Sequence, residues 1–179
     1  MSTHAQAVDP RYPIGKYHYE GPFGETQRQQ HIATLAELPV KIRAAITGLN
    51  ESQLDTPYRD GGWTVRQTVH HVADSHMNSF IRFRLGLTEE NPTIKPYEEA
   101  LWADIADAKE PVEVSLKLLE ALHHRMVVTL RSFRTEDWRR TVVHPENGQM
   151  TLDKMLGLYA WHSKHHVAHI TELRKRMGW

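Results

Sequence analysis

Four long stretches of the chain repeat apolar residues every three or four positions, which is the spacing of one buried face of an α-helix. In the first stretch Leu35, Leu38 and Ile42 follow this spacing, and almost no segment shows the alternation typical of a strand. Four long helices with short connections predict an all-α protein built as a four-helix bundle. The predicted helices span residues 25–49, 64–87, 111–133 and 151–177.

Capping residues and prolines indicate where these helices begin and end. Thr64 and Gln67 form a capping-box pair at the start of the second helix, and Thr151 is placed to cap the fourth. Pro111 suits the first turn of the third helix. Pro39 is expected to kink the first helix or to restart it near its middle, because proline cannot donate the helical hydrogen bond.

The remaining segments are less regular. Residues 1–24 are rich in proline and glycine and are predicted to form an extended arm that packs on the bundle through its aromatic side chains. Residues 25–179 are predicted to form a single domain. A short helix is expected within residues 97–108 and a loop over 50–62. Residues 134–150 are expected to hold a short helical piece and a small hairpin.

The composition argues against several classes of function. The 22 lysines and arginines balance 22 aspartates and glutamates, which argues against a nucleic-acid-binding surface. The chain has no cysteine, so disulfides, thiolate metal sites and a cysteine nucleophile are all ruled out. No apolar run approaches the ~20 residues of a membrane span, and no secretory signal is visible. We therefore expect a cytoplasmic protein that acts on a small molecule.

Thirteen histidines remain as the main candidates for chemistry, and four of them lie within the last predicted helix. On a helical wheel His166 lies at the centre of the apolar stripe, with His162 about 40° away and His165 at the edge. Two imidazoles at positions i and i+4 of one helix face can bind one divalent ion. Burying such a pair without a partner would be costly, so His162 and His166 are predicted to bind a metal ion.

The second predicted helix offers three candidates for a third ligand, namely His70, His71 and His76. His76 falls within the apolar stripe, so periodicity slightly favours it. His71 lies on the opposite face beside polar residues such as Asp74, and a polar cavity at one end of the bundle would favour it. The pattern of residues alone leaves this choice open.

Several long motifs resemble the DinB/YfiT-like family of metal-dependent hydrolases. The similarity extends over almost the whole chain, including the arm at residues 12–15. The motifs that carry it are Asp55–Gln67, His70–Asn78, Gly157–Ile170 and Arg176–Trp179.

The resemblance implies a DinB-type four-helix bundle that forms a homodimer and binds one divalent ion per subunit through three histidines. The family's first ligand is the second residue of the His-His pair, here His71. The other two come from the HxxxH motif of the last helix, here His162 and His166. The resemblance therefore overrules the marginal preference for His76. Zinc is the expected ion and nickel the alternative, since imidazole ligands suit both.

Three roles are compatible with such a site. The family members are described as metal-dependent hydrolases, and related members resemble enzymes that transfer low-molecular-weight thiols such as bacillithiol or glutathione. Three imidazoles leave a coordination position open, for water in a hydrolase or for a thiolate in a thiol transferase. A non-catalytic metal-binding dimer is the third role, and a purely structural site would be closed by a fourth ligand such as His165 or His169.

No general base is indicated by a motif. Asp74 lies one helical turn after His71, so it is a candidate to orient that ring as a hydrogen-bond partner. A solvated charge on the helix surface is an equally good interpretation of Asp74.

Overall fold

The computed structural model describes residues 9–179, so residues 1–8 of the predicted arm lie outside the described part of the chain. In chain order its elements are α1 (Glu25–Ile46), α2 (Glu51–Leu54), α3 (Val65–Thr88), α4 (Glu99–Trp102), α5 (Val112–Arg131), β1 (Thr141–His144), β2 (Gly148–Thr151) and α6 (Leu152–Met177), with 3-10 helices at Ala106–Lys109 and Asp137–Arg139. The four long helices form the bundle, which confirms the predicted all-α fold.

The packing order of the bundle places α3 beside α6. Helix α1 packs against α5 and α6, and α3 packs against the same two helices. Helices α1 and α3 are therefore diagonal neighbours, as are α5 and α6. This order brings together the two helices that carry the predicted metal ligands.

The core consists of two apolar clusters with a polar layer between them. One cluster contains Phe83 of α3 and Met155 of α6, and the other contains Val69 of α3 and Ile170 of α6. Buried histidines and serines from α3, α5 and α6 fill the layer between the clusters. Its buried members include His71, Ser75, His76, His123, Ser163, His166 and His169.

The predicted ends of the helices are largely confirmed. Thr64 Oγ1 accepts a hydrogen bond of 3.0 Å from the Gln67 backbone N, and the Gln67 side chain accepts one of 3.0 Å from the Thr64 backbone N. Thr151 caps α6, and β1 pairs with β2 in an antiparallel hairpin. Within residues 97–108 two short pieces replace the single predicted helix, and α2 was not predicted.

Pro39 does not restart the first helix, because α1 continues through it and ends at Ile46. Proline lacks an N–H, so the carbonyl four residues earlier, that of Leu35, loses its usual helical donor. In this structure His123 of α5 supplies the missing donor, since its Nδ1 atom lies 2.6 Å from the Leu35 oxygen. A tertiary hydrogen bond therefore compensates for the proline.

The arm is held on the bundle by a buried carboxylate in the first turn of α6. Asp153 accepts hydrogen bonds from the Tyr19 hydroxyl at 2.9 Å, the Phe23 backbone N at 2.8 Å and Arg28 Nε at 2.7 Å. Gly157 allows the arm to lie close to α6, since a Cβ there would lie 2.7 Å from the ring of Phe23. Earlier in the arm, the Arg11 carbonyl lies 3.4 Å from Nε2 of His169, so the arm also reaches the polar layer.

Candidate metal centre

Three histidines from two adjacent helices converge between α3 and α6. His71 lies in α3, and His162 and His166 lie one turn apart in α6. One ring nitrogen from each residue lies within 4.8 Å of the other two. The Nε2 atoms of His162 and His166 are 3.1 Å apart. The structure thus brings together the three residues named from the sequence, and we refer to them as the triad.

Burial keeps all three rings of the triad neutral at pH 7. It lowers the pKa of His71 from 6.5 to about 4. It also lowers the pKa of His162 and that of His166 well below 6.5, and neighbouring histidines add to the effect. A neutral imidazole carries the lone pair that binds a metal ion, so the donor set of the triad fits a divalent ion at neutral pH.

A hydrogen-bonded chain behind His166 selects its tautomer. The backbone carbonyl of Arg11 can only accept, so His169 donates to it from Nε2 over 3.4 Å. The Nδ1 atom of His169 is then an acceptor, and it lies 3.3 Å from Nδ1 of His166. His166 therefore carries its proton on Nδ1 and presents the lone pair of Nε2 to the triad, as a metal ligand requires.

His76, the alternative third ligand, lies behind His162 and outside the triad. Its Nε2 atom is 3.2 Å from Nδ1 of His162, whereas Nε2 of His162 faces His166. The ring of His76 is fully buried, as its place in the apolar stripe predicted. In this position His76 can accept a hydrogen bond from His162, which would leave Nε2 of His162 free for an ion.

His123 continues this line of buried imidazoles into the core. Its ring centroid is 4.9 Å from that of His76, and its Nδ1 atom donates to the Leu35 carbonyl. Within residues 9–179, Nε2 of His123 and Nδ1 of His76 have no hydrogen-bond partner. The triad is therefore supported on this side by neutral rings rather than by carboxylates.

The carboxylate near the triad differs from the one considered in the sequence. No hydrogen bond or ion pair joins the Asp74 carboxylate to His71 in the part of the chain that the structure describes. Burial raises the pKa of Asp74 to about 6. Instead, Oε2 of Glu99 in α4 lies 4.0 Å from Nε2 of His71. Glu99 was not predicted, because no local pattern in the sequence connects α4 with α3.

His165 and His169 do not close the triad as fourth ligands. His169 contacts His166 at Nδ1, the ring nitrogen on the side away from the triad. His165 is buried rather than at the edge, and its ring stacks on that of Trp161 with the centroids 4.3 Å apart. Neither residue belongs to the convergent group found among residues 9–179.

The triad lines a cavity of about 300 Å³. We call it the triad cavity. A second cavity, of about 410 Å³, is also lined by His162 and Glu99, and Arg82 forms part of its wall. The walls of the triad cavity also include Tyr12, Tyr58, Arg59, Trp63, Glu99 and Trp161. A small molecule therefore has space beside the three convergent nitrogens.

The chain belongs to the DinB superfamily, whose family model matches residues 34–170. This match agrees with a bundle that carries its convergent histidines on α3 and α6, and it confirms the resemblance seen in the sequence motifs. Within the part of the chain that the structure describes, no helix combines the length and apolar character needed to cross a membrane.

Individual relatives are similar over nearly the full length. A protein of Bacillus cereus strain 03BB102, named "putative metal-dependent hydrolase", is 56% identical, covering 96% of this chain and 99% of its own. A Bacillus thuringiensis subsp. konkukian protein with the same descriptive name has the same identity and coverage. The solved structure of YfiT from Bacillus subtilis, described as "a probable metal-dependent hydrolase with an unusual four-helix bundle topology", matches with a TM-score of 0.94. It is 50% identical, covering 96% of this chain and 99% of YfiT.

Proposed function

We propose that this protein is a metal-dependent hydrolase that holds one divalent ion through His71, His162 and His166. The observation that carries the proposal is the convergence of three neutral ring nitrogens within 4.8 Å of one another, beside a cavity large enough for a small molecule. The names of the relatives support the same activity. An ion held by three imidazoles would supply a Lewis acid and activate water near neutral pH.

Several residues of the chain would serve this reaction without binding the ion. His169 orients the ring of His166 through Nδ1 of His166. His76 orients the ring of His162 in the same way, through Nδ1 of His162. Glu99 lines the triad cavity and is proposed to accept the proton of the attacking water at a carboxylate oxygen. Partial desolvation raises the pKa of Glu99, which makes its carboxylate a better base than a fully hydrated one.

Zinc is the proposed ion, with nickel second, because imidazole ligands accept either. The homodimer and the cytoplasmic location remain predictions from the sequence. A thiol transferase would use the same triad, so it differs from the hydrolase in its co-substrate rather than in its ligands.

Metal content is the first test of the proposal. Elemental mass spectrometry should find one equivalent of metal in the wild-type protein and none in folded His71→Ala, His162→Ala or His166→Ala variants. His70→Ala is a matched control, since His70 contacts Ser115 Oγ at 2.7 Å and the Glu110 carbonyl at 3.0 Å rather than the triad. Metal that is retained in the His71 variant but lost in a His76→Ala variant would show that the ligand set is wrong.

Activity assays then separate the candidate functions. The metal-loaded protein should release product from a panel of ester and amide substrates without added thiol. Turnover that occurs only as conjugation of monochlorobimane with a thiol would refute the hydrolase and support the transferase. Stoichiometric metal with neither activity would support a metal-binding role.

A further inference from the structure

We propose that Arg59 forms an anion-binding subsite in the triad cavity, so that the substrate carries a carboxylate or a phosphate group. The inference rests on the proposed function, because it names the substrate class of that same site. It depends on three observations: the free hydrogen-bonding capacity of Arg59, the pairing of the neighbouring arginines, and the packing that holds Arg59 beside the triad.

The guanidinium of Arg59 has unused hydrogen-bonding capacity. Its Nη1 atom donates to the Asp60 carbonyl at 2.8 Å. Its Nε atom is buried and has no hydrogen-bond partner in residues 9–179. No carboxylate within that range forms an ion pair with Arg59. The accessible Nη2 atom makes no hydrogen bond to these residues, and an anion in the cavity would supply its acceptor.

The other arginines near the triad already have partners. Arg11 also lines the triad cavity, but its Nε and Nη2 atoms donate to the Asp9 carboxylate at distances of 2.8–3.2 Å. Arg82, in the second cavity, donates to the Tyr159 hydroxyl at 3.0 Å and to the Lys95 carbonyl at 2.9 Å. Arg59 is thus the arginine of these three with no carboxylate or hydroxyl partner.

Packing fixes Arg59 relative to the triad. Its guanidinium carbon lies 5.5 Å from the centre of the Tyr58 ring, and Tyr58 stacks on His169 with centroids 4.0 Å apart. His169 in turn contacts His166. Gly62 leaves the space that the arginine occupies, since a Cβ there would lie 2.7 Å from Arg59 Cγ and 3.2 Å from its carbonyl oxygen.

This arrangement favours an anion over a neutral ligand. Glu99 contributes one negative charge, and a divalent ion together with Arg59 would outweigh it. The planar guanidinium of arginine matches the geometry of carboxylate and phosphate oxygens, so either group would fit the subsite.

Hydroxamates allow the subsite to be tested by binding rather than by turnover. The protein is loaded with Co²⁺, and the visible spectrum is titrated with acetohydroxamate, succinic monohydroxamate and phosphonoacetohydroxamate. All three have a metal-binding hydroxamate, but only the last two carry an extra anion, a carboxylate or a phosphonate. Wild-type protein should bind at least one charged probe about tenfold more tightly than acetohydroxamate, and the better probe identifies the preferred anion.

The variants assign the preference to Arg59. Arg59→Gln should bind all three probes with similar affinity, whereas Arg59→Lys should keep part of the preference. The control Arg82→Gln, at an arginine that does not line the triad cavity, should keep all of it. Gly62→Ala should weaken the preference by displacing Arg59 while leaving its charge in place. Acetohydroxamate should bind every variant equally, which reports an intact ion site.

Two results would overturn the inference while leaving the proposed function intact. One is equal affinity of the wild-type protein for charged and neutral hydroxamates. The other is a preference for the charged probes that survives in Arg59→Gln. A protein that binds no Co²⁺, or whose Co²⁺ spectrum does not respond to acetohydroxamate, would refute the proposed function and the inference together.

Discussion

Replacing His169 with phenylalanine should weaken zinc binding by the triad, although His169 is not itself a proposed ligand. Phenylalanine keeps a planar ring that can stack on Tyr58, as the His169 ring does at 4.0 Å. It removes the acceptor for Nδ1 of His166 and the donor to the Arg11 carbonyl. His166 would then be free to move its proton to Nε2, the nitrogen that faces the triad.

The structure sets the expected size of this effect. Loss of a hydrogen-bond partner behind a metal-bound histidine typically lowers metal affinity by about 10- to 100-fold. The two hydrogen bonds of His169 are long, at 3.3 and 3.4 Å, so we expect the lower end of that range. A tenfold loss corresponds to about 1.4 kcal/mol. Stability should also fall by about 1 kcal/mol or more, because in either tautomer Nδ1 of His166 is left buried without a hydrogen-bond partner.

Competition with a chromophoric zinc chelator would measure the affinity. His165→Phe is the matched control, since His165 is also buried in α6 and stacks on an aromatic ring but makes no hydrogen bond to the triad within the described residues. Unchanged zinc affinity in His169→Phe would refute the tautomer argument. An equal loss in both variants would show that ring packing, rather than the hydrogen-bonded chain, supports the site.

Three further predictions concern stability. Unfolding in urea at pH 7 and at pH 5 should show that stability falls as the pH drops below about 6.5 towards 4. Burial lowers the pKa of His123 to about 4, so the unfolded chain binds the proton before the folded chain does. This residue alone would account for a loss of up to about 3 kcal/mol in the free energy of unfolding over the full fall to pH 4. A His123→Leu variant with an unchanged pH dependence would contradict this. Asp153→Asn leaves Arg28 buried without its ion-pair partner and should cost about 3 kcal/mol, with faster proteolysis of the arm; unchanged proteolysis would argue against the anchor. Gly86→Ala places a Cβ 2.6 Å from Leu152 Cδ2 and should lower stability by about 1–3 kcal/mol despite better helix propensity; a higher melting temperature would show that the core yields.

The sequence by itself determined the features that depend on short-range geometry. The period of the apolar residues predicted the four long helices, and the capping box at Thr64 and the cap at Thr151 located two of their starts within one residue. The pairing of His162 with His166 was also a local matter, because residues four apart on an α-helix lie on the same face. The hairpin was also predicted from a local signal, namely the turn at Asn147 and Gly148.

Only the tertiary structure decided how the helices face one another. Both His71 and His76 contact His162, and the rotation of α3 against α6 decides which ring joins the convergent group and which lies behind it. Family resemblance named His71, whereas periodicity favoured His76 because it reports burial and not the position of a nitrogen atom.

Long-range contacts decided the remaining features, for which the sequence holds no local signal. The bond from His123 to the Leu35 carbonyl joins residues 88 apart and lets α1 continue through Pro39. Glu99 and Arg59 reach the triad cavity from segments outside the long helices. Helix periodicity constrains residues within about a turn of one another, so the partners of the triad became visible only when the bundle was assembled.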